Sequence, residues 1–225
     1  MKPTSLQGIA NKAVSDKAHR FRNLFGLLTV DFLLWCWQFV NLRAASGVDR
    51  KDAKSYKAHL QDNVEGLVSA VQGGRYRAKW VLRKYIPKLN GKLRPLGIPA
   101  IADKLFQIGV SKLLEAIYEQ DFLSCSYGYR PGVGALDAVR DLSAVLRSGG
   151  YHYLVEADIR GFFDNLDHDK LIELLELRID DKALMKLIRK WLKAGILEPD
   201  GAVNYPEKGS PQGGLCKALH KLPYA

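Results

Sequence analysis

The hydrophobic pattern of the first half predicts helices around a buried core. Residues 24–40 are almost all apolar, which predicts a buried helix. Residues 52–72 predict an amphipathic helix that ends at two glycines. Asp103 stands where a helix cap is expected, before a stretch whose apolar residues recur every three or four positions. The polar and basic residues 1–23 predict a helix or a loose arm.

The second half continues with shorter periodic segments. Residues 135–147 predict an amphipathic helix, and Asp167 is placed to cap a further helix over 169–178. Asp180 or Asp181 is placed to cap the next helix, whose apolar residues lie on one face before a glycine ends it. The helical segments are therefore spread along the whole chain.

Three segments have the pattern of β-structure. Residues 79–99 predict a hairpin, because Asn90-Gly91 is the dipeptide that a type I′ turn prefers. Residues 151–159 are mostly apolar or aromatic and hold no glycine or proline, which predicts a strand. Residues 196–205 fold back around a Pro-Asp-Gly turn and predict a second hairpin. Helices mixed with antiparallel strands, without regular βαβ repetition, indicate the α+β class.

The apolar stretch at 24–40 also needs testing as a membrane span. It is about 17 residues long, at the lower limit for crossing a bilayer, and Asp31 lies at its centre. A secretory signal does not fit either, because a long polar and basic stretch precedes the apolar residues. We therefore expect a buried helix and no membrane partner.

Composition indicates a folded protein with a basic surface. The 225 residues include 34 Lys plus Arg against 24 Asp plus Glu, a formal net charge of +10, and 47% are hydrophobic. The three cysteines lie far apart, without a Cys-x-x-Cys or Cys/His cluster. This spacing argues against a disulfide framework and a structural zinc site, and it fits a reducing, cytoplasmic compartment.

The positive charge is concentrated in the first hundred residues. Residues 1–100 hold 18 basic and 6 acidic side chains, a balance of +12. Residues 101–225 hold the remaining 16 basic and 18 acidic side chains, a balance of −2. A polyanion partner, nucleic acid before membrane, explains this asymmetry, although a basic surface that serves only solubility would also produce it.

Three places in the sequence hold residues that could bind a metal ion, a phosphate or another ligand. Asp158 ends the predicted strand 151–159, where a rigid scaffold could present a carboxylate to a divalent metal ion, although a neighbouring amide or water could satisfy it equally. Alternation along the predicted hairpin puts Lys92 and Arg94 on one face, where they could clamp phosphate or simply keep an edge hairpin soluble. The loop at 209–214 has glycines that allow close approach of a ligand, or it is only a loop. The basic residues of the hairpin are Arg83, Lys84, Lys88, Lys92 and Arg94.

Four segments in a fixed order resemble the reverse transcriptases of bacterial group II introns. They are the basic hairpin from Lys88 to Arg94, Ser-Tyr-Gly-Tyr-Arg-Pro-Gly at 126–132, Ala-Asp-Ile-Arg-Gly-Phe-Phe-Asp at 157–164, and Ser-Pro-Gln-Gly-Gly at 210–214. The resemblance extends over nearly the whole chain. It implies a right-hand polymerase fold, with reverse-transcriptase fingers and an incomplete palm.

The resemblance also implies a role for individual residues. Asp158 matches the first metal-binding aspartate of the palm, and the backbone carbonyl of Ile159 could be a further Mg²⁺ ligand. Phe163 matches the bulky side chain that excludes a ribose 2′-OH, and Gln212 matches a palm-loop residue near template and nucleotide. The finger residues that hold the incoming triphosphate are matched by Lys88 and Arg94. The implied partners are RNA, a DNA primer and deoxynucleotides.

The resemblance divides the chain into four regions. Residues 1–72 are expected to be a basic helical region, 73–150 the fingers and 151–214 the first half of the palm. Residues 215–225 are an atypical tail, because lysines and a proline interrupt a segment that continues in the family as an apolar helix.

The sequence departs from the family in the second half of its metal site. The family supplies further carboxylates from a Tyr-x-Asp-Asp turn, and no such motif occurs in these 225 residues. We therefore expect a truncated polymerase that is inactive alone, or active only if a second chain completes the palm. The alternatives are a non-catalytic RNA-binding module and a gene remnant. An incomplete palm is also expected to expose apolar surface and to favour self-association.

Overall fold

A computed structural model describes residues 4–87 and 91–210. In these ranges the chain folds as helices α1–α9 and a four-stranded sheet, and helices α1–α5, α8 and α9 surround one hydrophobic core. This arrangement confirms the α+β class. The helices are α1 (Thr4–Ser15), α2 (Val30–Cys36), α3 (Ala53–Ala58), α4 (Leu60–Gln72), α5 (Ile101–Tyr118), α6 (Ala135–Arg147), α7 (Phe162–Asn165), α8 (His168–Glu176) and α9 (Lys182–Leu192). The strands are β1 (Val81–Pro87), β2 (Leu93–Ile98), β3 (Ile196–Leu197) and β4 (Val203–Asn204).

The apolar stretch at 24–40 folds as three short pieces instead of one helix. Two 3₁₀ turns, Phe25–Leu27 and Trp37–Phe39, flank α2, and the Thr29 side chain caps α2 by accepting a hydrogen bond from the Phe32 amide. The local Thr29 cap restarts the helix after the first turn, so apolar periodicity alone overestimated its length. No helix in the described part of the chain is long and apolar enough to span a membrane.

The segment 52–72 also divides, into α3 and α4, where His59 departs from helical backbone angles. Asp52 caps α3 by accepting a hydrogen bond from the Ser55 amide at 2.7 Å. Two caps further along the chain agree with the sequence: Asp167 caps α8, and Asp181, not Asp180, caps α9.

Helix α5 is the centre of the fold. None of its 18 residues is exposed, and α1, α2 and α4 all pack against it. The expectation that Asp103 caps this helix was wrong, because the helix already begins at Ile101, with Ala100 as its cap residue. Asp103 instead lies inside the first turn and is 3% exposed.

The buried Asp103 carboxylate joins three parts of the chain. It accepts hydrogen bonds from the Tyr76 hydroxyl at 2.5 Å and from the Lys79 amide at 3.1 Å. The Tyr76 oxygen in turn accepts a hydrogen bond from the Trp191 indole at 2.7 Å. Burial raises the pKa of Asp103, while the hydrogen bonds from Tyr76 and Lys79 oppose that shift. The network fixes the segment before β1 between α5 and α9.

Arg178 anchors the N-terminal segment on the C-terminal helices. Its buried guanidinium donates to several backbone carbonyls after α1, including Asp16 at 3.2 Å. The same side chain lies 3.0 Å from an oxygen of Asp121. Because Arg has five donors in a rigid fork, one residue can satisfy the loop carbonyls that α1 leaves unpaired.

The sheet joins two hairpins in the order β2-β1-β3-β4. Strands β1 and β2 form the antiparallel hairpin that the sequence predicted, and β3 and β4 form the second one. The two hairpins meet through a short parallel pairing of Val81 with Ile196 and Leu82 with Leu197, which the sequence did not indicate. Gly91 has φ +74°, as a turn needs, whereas Asn90 lies outside the described residues.

The segment 151–159 was predicted as a strand but has no regular structure. A strand exists only where a neighbouring strand shares its backbone hydrogen bonds, and no described strand pairs with this segment. Its side chains are exposed on both alternating faces, including Tyr153 at 91% and its neighbour Leu154 at 64%. Helix α6, just before it, has the predicted bounds but no buried residue. The region 135–159 therefore presents a continuous run of exposed apolar side chains.

The Asp103 network leads to a first prediction. Asp103→Ala removes the acceptor of two donors at buried or partly buried positions, at a cost of about 1–3 kcal/mol each, so we expect the free energy of unfolding to fall by about 2–4 kcal/mol. Urea unfolding at neutral pH measures this free energy for the wild type and the variant. Because burial raises the folded-state pKa of Asp103 above the ordinary 3.8, the advantage of the wild type should shrink as the pH rises from about 4.

The matched control is Asp62→Ala, which removes an exposed carboxylate from the first turn of α4. We expect it to change stability by less than about 0.5 kcal/mol. Equal losses for the two variants would show that the Asp103 network does not hold the fold together.

Candidate functional site

The outer face of the first hairpin carries exposed basic groups. Arg94 lies opposite Ile86 in the register, so Lys84, two residues earlier on β1, shares its face. Both basic side chains are exposed. Lys88, assigned by resemblance beside Arg94, lies outside the described residues, as does Gln212. The hairpin therefore presents Arg94 on a rigid two-stranded support, where its guanidinium is accessible to an anion.

The opposite face of the hairpin is held by Glu198. One carboxylate oxygen lies 3.3 Å from Arg83 Nε, and the other accepts a hydrogen bond from the Tyr85 hydroxyl at 3.0 Å. Arg83 and Glu198 are only 15% and 16% exposed, so solvent screens this ion pair less than a surface pair. The hydrogen bond to Glu198 raises the pKa of Tyr85. Glu198 thus ties the first hairpin to the second.

A tight turn follows Asp158. Gly161 has φ +62°, a left-handed conformation that glycine adopts without strain, and it starts the short helix α7. Phe163 on α7 is half-buried and packs edge to face on Phe162, with ring centroids 5.6 Å apart. Asp158 and Ile159 are exposed in the irregular segment before the turn. Asp158 is therefore not at the end of a strand, contrary to expectation, because the segment has no strand partner among the described residues.

The structure brings Gly209 and Ser210 onto this turn. The Gly209 amide donates to the Leu166 carbonyl at 2.7 Å, and the Ser210 amide donates to the Phe163 carbonyl at 2.8 Å. His168 is buried, and its Nε2 donates to the Gly209 carbonyl at 2.6 Å. Two of the motifs that carry the resemblance, distant in sequence, are thus in direct contact, and Gln212 follows two residues after that contact.

A cavity of about 120 Å³ lies between the first hairpin and the turn. It is smaller than a typical pocket for a small molecule, which is about 300–1,000 Å³. The sequence did not single out Lys208, which lines this cavity, or Glu198, which pairs with the lining residue Arg83. Glu198 had one signal, because it is the only carboxylate between residues 182 and 199 and follows a strand. The cavity is lined by Arg83, Pro95, Asp164, Ile196, Pro206, Lys208, Gly209 and Ser210.

The described residues do not assemble a metal site. Within 4–87 and 91–210, no group of three or more His, Cys, Asp or Glu side chains is close enough to hold an ion. Asp158 makes no hydrogen bond or ion pair with any other described residue. Asp158 and the Ile159 carbonyl could supply only some of the six oxygen ligands that Mg²⁺ takes in octahedral geometry, so these two residues alone do not fix the position of an ion.

Comparison with known proteins identifies the family. A family model for reverse transcriptase (RNA-dependent DNA polymerase) matches residues 86–216, which is more than half of the chain. The chain belongs to the reverse transcriptase family. Its similarity to a group II intron-encoded protein places it with the group II intron members of that family.

The relatives of this reverse transcriptase chain are longer than it is. It is 36% identical to the group II intron-encoded protein LtrA of Lactococcus lactis subsp. cremoris, with 97% of this chain and 37% of that protein aligned. It is 32% identical to the protein YkfC of Escherichia coli strain K12, with 94% of this chain and 57% of that protein aligned. The chain thus spans well under two thirds of either relative.

A solved structure shares the fold of this reverse transcriptase chain. A partial Cas6-RT-Cas1–Cas2 complex matches with a TM-score of 0.53 over 88% of this chain and 33% of that chain, at 22% identity. At this level of identity the likeness concerns the fold alone.

The docking of Gly209 on the turn leads to a second prediction. Gly209 has φ +83°, and an added Cβ would lie 2.8 Å from the Asp164 carbonyl oxygen and 2.9 Å from that of Phe163. Gly209→Ala should therefore detach the loop, and the amides at 209 and 210 should exchange with solvent about tenfold faster or more. Hydrogen exchange with mass spectrometry measures this change.

Gly201→Ala is the matched control, because Gly201 has φ +90° and no atom lies within 4 Å of an added Cβ. It imposes the same left-handed strain, about 1–2 kcal/mol, without the clash. Unchanged exchange at 209 and 210 in the Gly209→Ala variant would argue against the docking.

Proposed function

We propose that the described chain is the fingers and the first part of the palm of a group II intron-type RNA-directed DNA polymerase. The observation that carries this proposal is the contact of the Gly209–Ser210 backbone with the Phe163 turn, across a small cavity from Arg83. A polymerase needs a nucleotide-facing side chain, a template-facing loop and a phosphate clamp in one place. The contact supports this arrangement, because it joins two of these motifs and faces the base of the hairpin that carries the third.

In this proposal the site residues divide by chemistry. Arg94 and Lys88 hold the triphosphate of a deoxynucleotide through charge-assisted hydrogen bonds, which their basic side chains and the exposure of Arg94 support. Phe163 is the steric wall against a ribose 2′-OH, and Gln212 lies near template and nucleotide. Asp158 and the Ile159 carbonyl are one part of the Mg²⁺ site, whose other ligands are not among these residues.

We further propose that the 225-residue chain does not extend a primer when it is tested alone. Two-metal phosphoryl transfer needs carboxylates that hold both ions about 3.5–4 Å apart. The Tyr-x-Asp-Asp motif of the family is not in this sequence. The exposed apolar residues of 135–159 favour completion of the palm by further polypeptide or by self-association.

The third prediction is therefore the absence of extension. Purified chain with an RNA template, a DNA primer, all four deoxynucleotides and Mg²⁺ or Mn²⁺ should give no product on a sequencing gel. More metal should not restore extension, because the missing component is the ligand set. Product that disappears in the Asp158→Ala variant would contradict the proposal, and would mean that another group or a second chain supplies the missing ligands.

A second candidate function is RNA binding without catalysis. The balance of +12 in residues 1–100 supports it, as does the exposure of Lys84 on the hairpin. Phosphate contacts release counterions, so such binding weakens strongly with salt. The two functions are compatible, because a polymerase also holds its RNA template.

The fourth prediction tests this RNA binding directly. A fluorescent RNA hairpin should bind with micromolar or weaker affinity, and log K should fall with log salt by about 0.7–0.9 for each phosphate contacted. The double variant Lys88→Ala/Arg94→Ala should bind nearly as well as the wild type, because these side chains are assigned to the triphosphate. Binding that is indifferent to salt between about 50 and 200 mM would contradict the idea.

A further inference from the structure

Helix α9 carries a basic stripe along its exposed side. Lys182, Lys186, Arg189 and Lys193 follow one another at helical spacing, so they lie on one face over about 16 Å. The apolar residues of the same helix are buried on the opposite side, which fixes the direction of the stripe towards solvent. Lys182, Lys186 and Lys193 are exposed.

The fold places a second basic segment beside helix α9. Lys190 donates to the Tyr76 carbonyl at 3.0 Å, and the Trp191 indole donates to the Tyr76 hydroxyl at 2.7 Å. Tyr76 is buried, whereas its neighbours Arg75 and Arg77 are exposed. The two arginines therefore lie next to α9, although more than 100 residues separate them from it in sequence. We call Arg75, Arg77, Lys182, Lys186 and Lys193 the α9 basic surface.

The two basic segments themselves contain no acidic residue, although Asp180 and Asp181 immediately precede Lys182. Residues 182–197 include five basic side chains and no Asp or Glu, and residues 66–80 include three basic side chains and no Asp or Glu. Arg189 pairs with Asp169 at one border, and Lys79 pairs with Asp49 at 2.9 Å. Within the described residues, Lys182, Lys186 and Lys193 have no ion-pair partner. Among the described residues, no ion pair thus compensates the positive charge of these three lysines.

We propose that the α9 basic surface binds the sugar–phosphate backbone of structured RNA. Successive basic residues of the stripe stand about 4.5–6 Å apart along the helix axis, and a nucleic-acid strand offers a charge about every 3.4 Å along its axis, so several of them can neutralise phosphates of one strand. An unpaired stripe releases counterions on binding without first breaking a protein ion pair. This proposal rests on the RNA binding proposed above. It places the RNA contact on a surface outside the motifs that carry the polymerase resemblance.

The test compares two triple variants of the full 225-residue chain. Lys182→Gln/Lys186→Gln/Lys193→Gln removes three charges from α9, and Lys51→Gln/Lys54→Gln/Lys57→Gln removes three exposed charges at α3. Both variants lower the net charge equally, so general electrostatic attraction to RNA changes equally. The probe is a fluorescent 20-base-pair RNA hairpin, titrated by anisotropy over a range of salt concentrations. Thermal unfolding midpoints confirm that both variants fold.

We expect the α9 variant to bind about tenfold more weakly than the α3 variant, with a salt slope shallower by about 2. Arg75→Gln/Arg77→Gln should also weaken binding, because both segments form the surface. If the wild type binds the RNA hairpin and both triple variants lose affinity equally, the α9 basic surface is not the binding location, although the proposed RNA binding itself stands. A wild-type chain that does not bind the hairpin at all would overturn both.

Discussion

The fold depends on one buried carboxylate and its two donors. Asp103 is almost fully buried in the first turn of α5, and the Tyr76 hydroxyl and the Lys79 amide satisfy both of its oxygens. A buried carboxylate without such partners would strongly destabilise the folded state. Because its partners come from the segment just before β1, satisfying Asp103 also determines where the first hairpin leaves the core. The position of the basic hairpin therefore follows from a polar contact inside the helical core.

A second consequence concerns α9. Tyr76 contacts Asp103 on one side and Trp191 on the other, so α9 is held in the same network as α5. Strand β3 follows α9 closely and pairs with β1 in parallel, and Glu198 then reaches Arg83 and Tyr85. From Asp103 to Glu198, a chain of polar contacts thus joins the first hairpin to the loop that precedes Ser210. This chain explains how residues far apart in sequence come to line one cavity.

The region 135–159, in contrast to this connected core, exposes its apolar side chains. Helix α6 has the bounds that its apolar periodicity predicts, yet its Leu136 and Val139 are 79% and 60% exposed. Periodicity shows that a helix has an apolar face, and it says nothing of what covers that face. The same holds for 151–159, whose residues favour a strand that no described neighbour completes. Asp158 belongs to this region, which is why the described residues do not build a metal site around it.

The sequence by itself determined most local structure and the family. Caps at Asp167 and Asp181, the hairpin around 81–98 and the bounds of α6 follow from side chains and turn residues within a few positions. The motifs of the resemblance are likewise short and contiguous. Their spatial assembly was not contained in any local pattern, because it needs contacts across long sequence separations.

Only the tertiary structure decided the roles of Asp103, Glu198 and Arg75. Asp103 has the sequence signature of a helix cap, and it became a buried acceptor because the helix begins at Ile101, two residues before Asp103, and Tyr76 packs against it. The charge balance of −2 in residues 101–225 concealed the basic face of α9. That face became part of a larger basic surface only because Tyr76 brings residues 75–77 to α9. Sums of charge along a chain average over faces that folding separates, and for this reason the location of charge is a tertiary property.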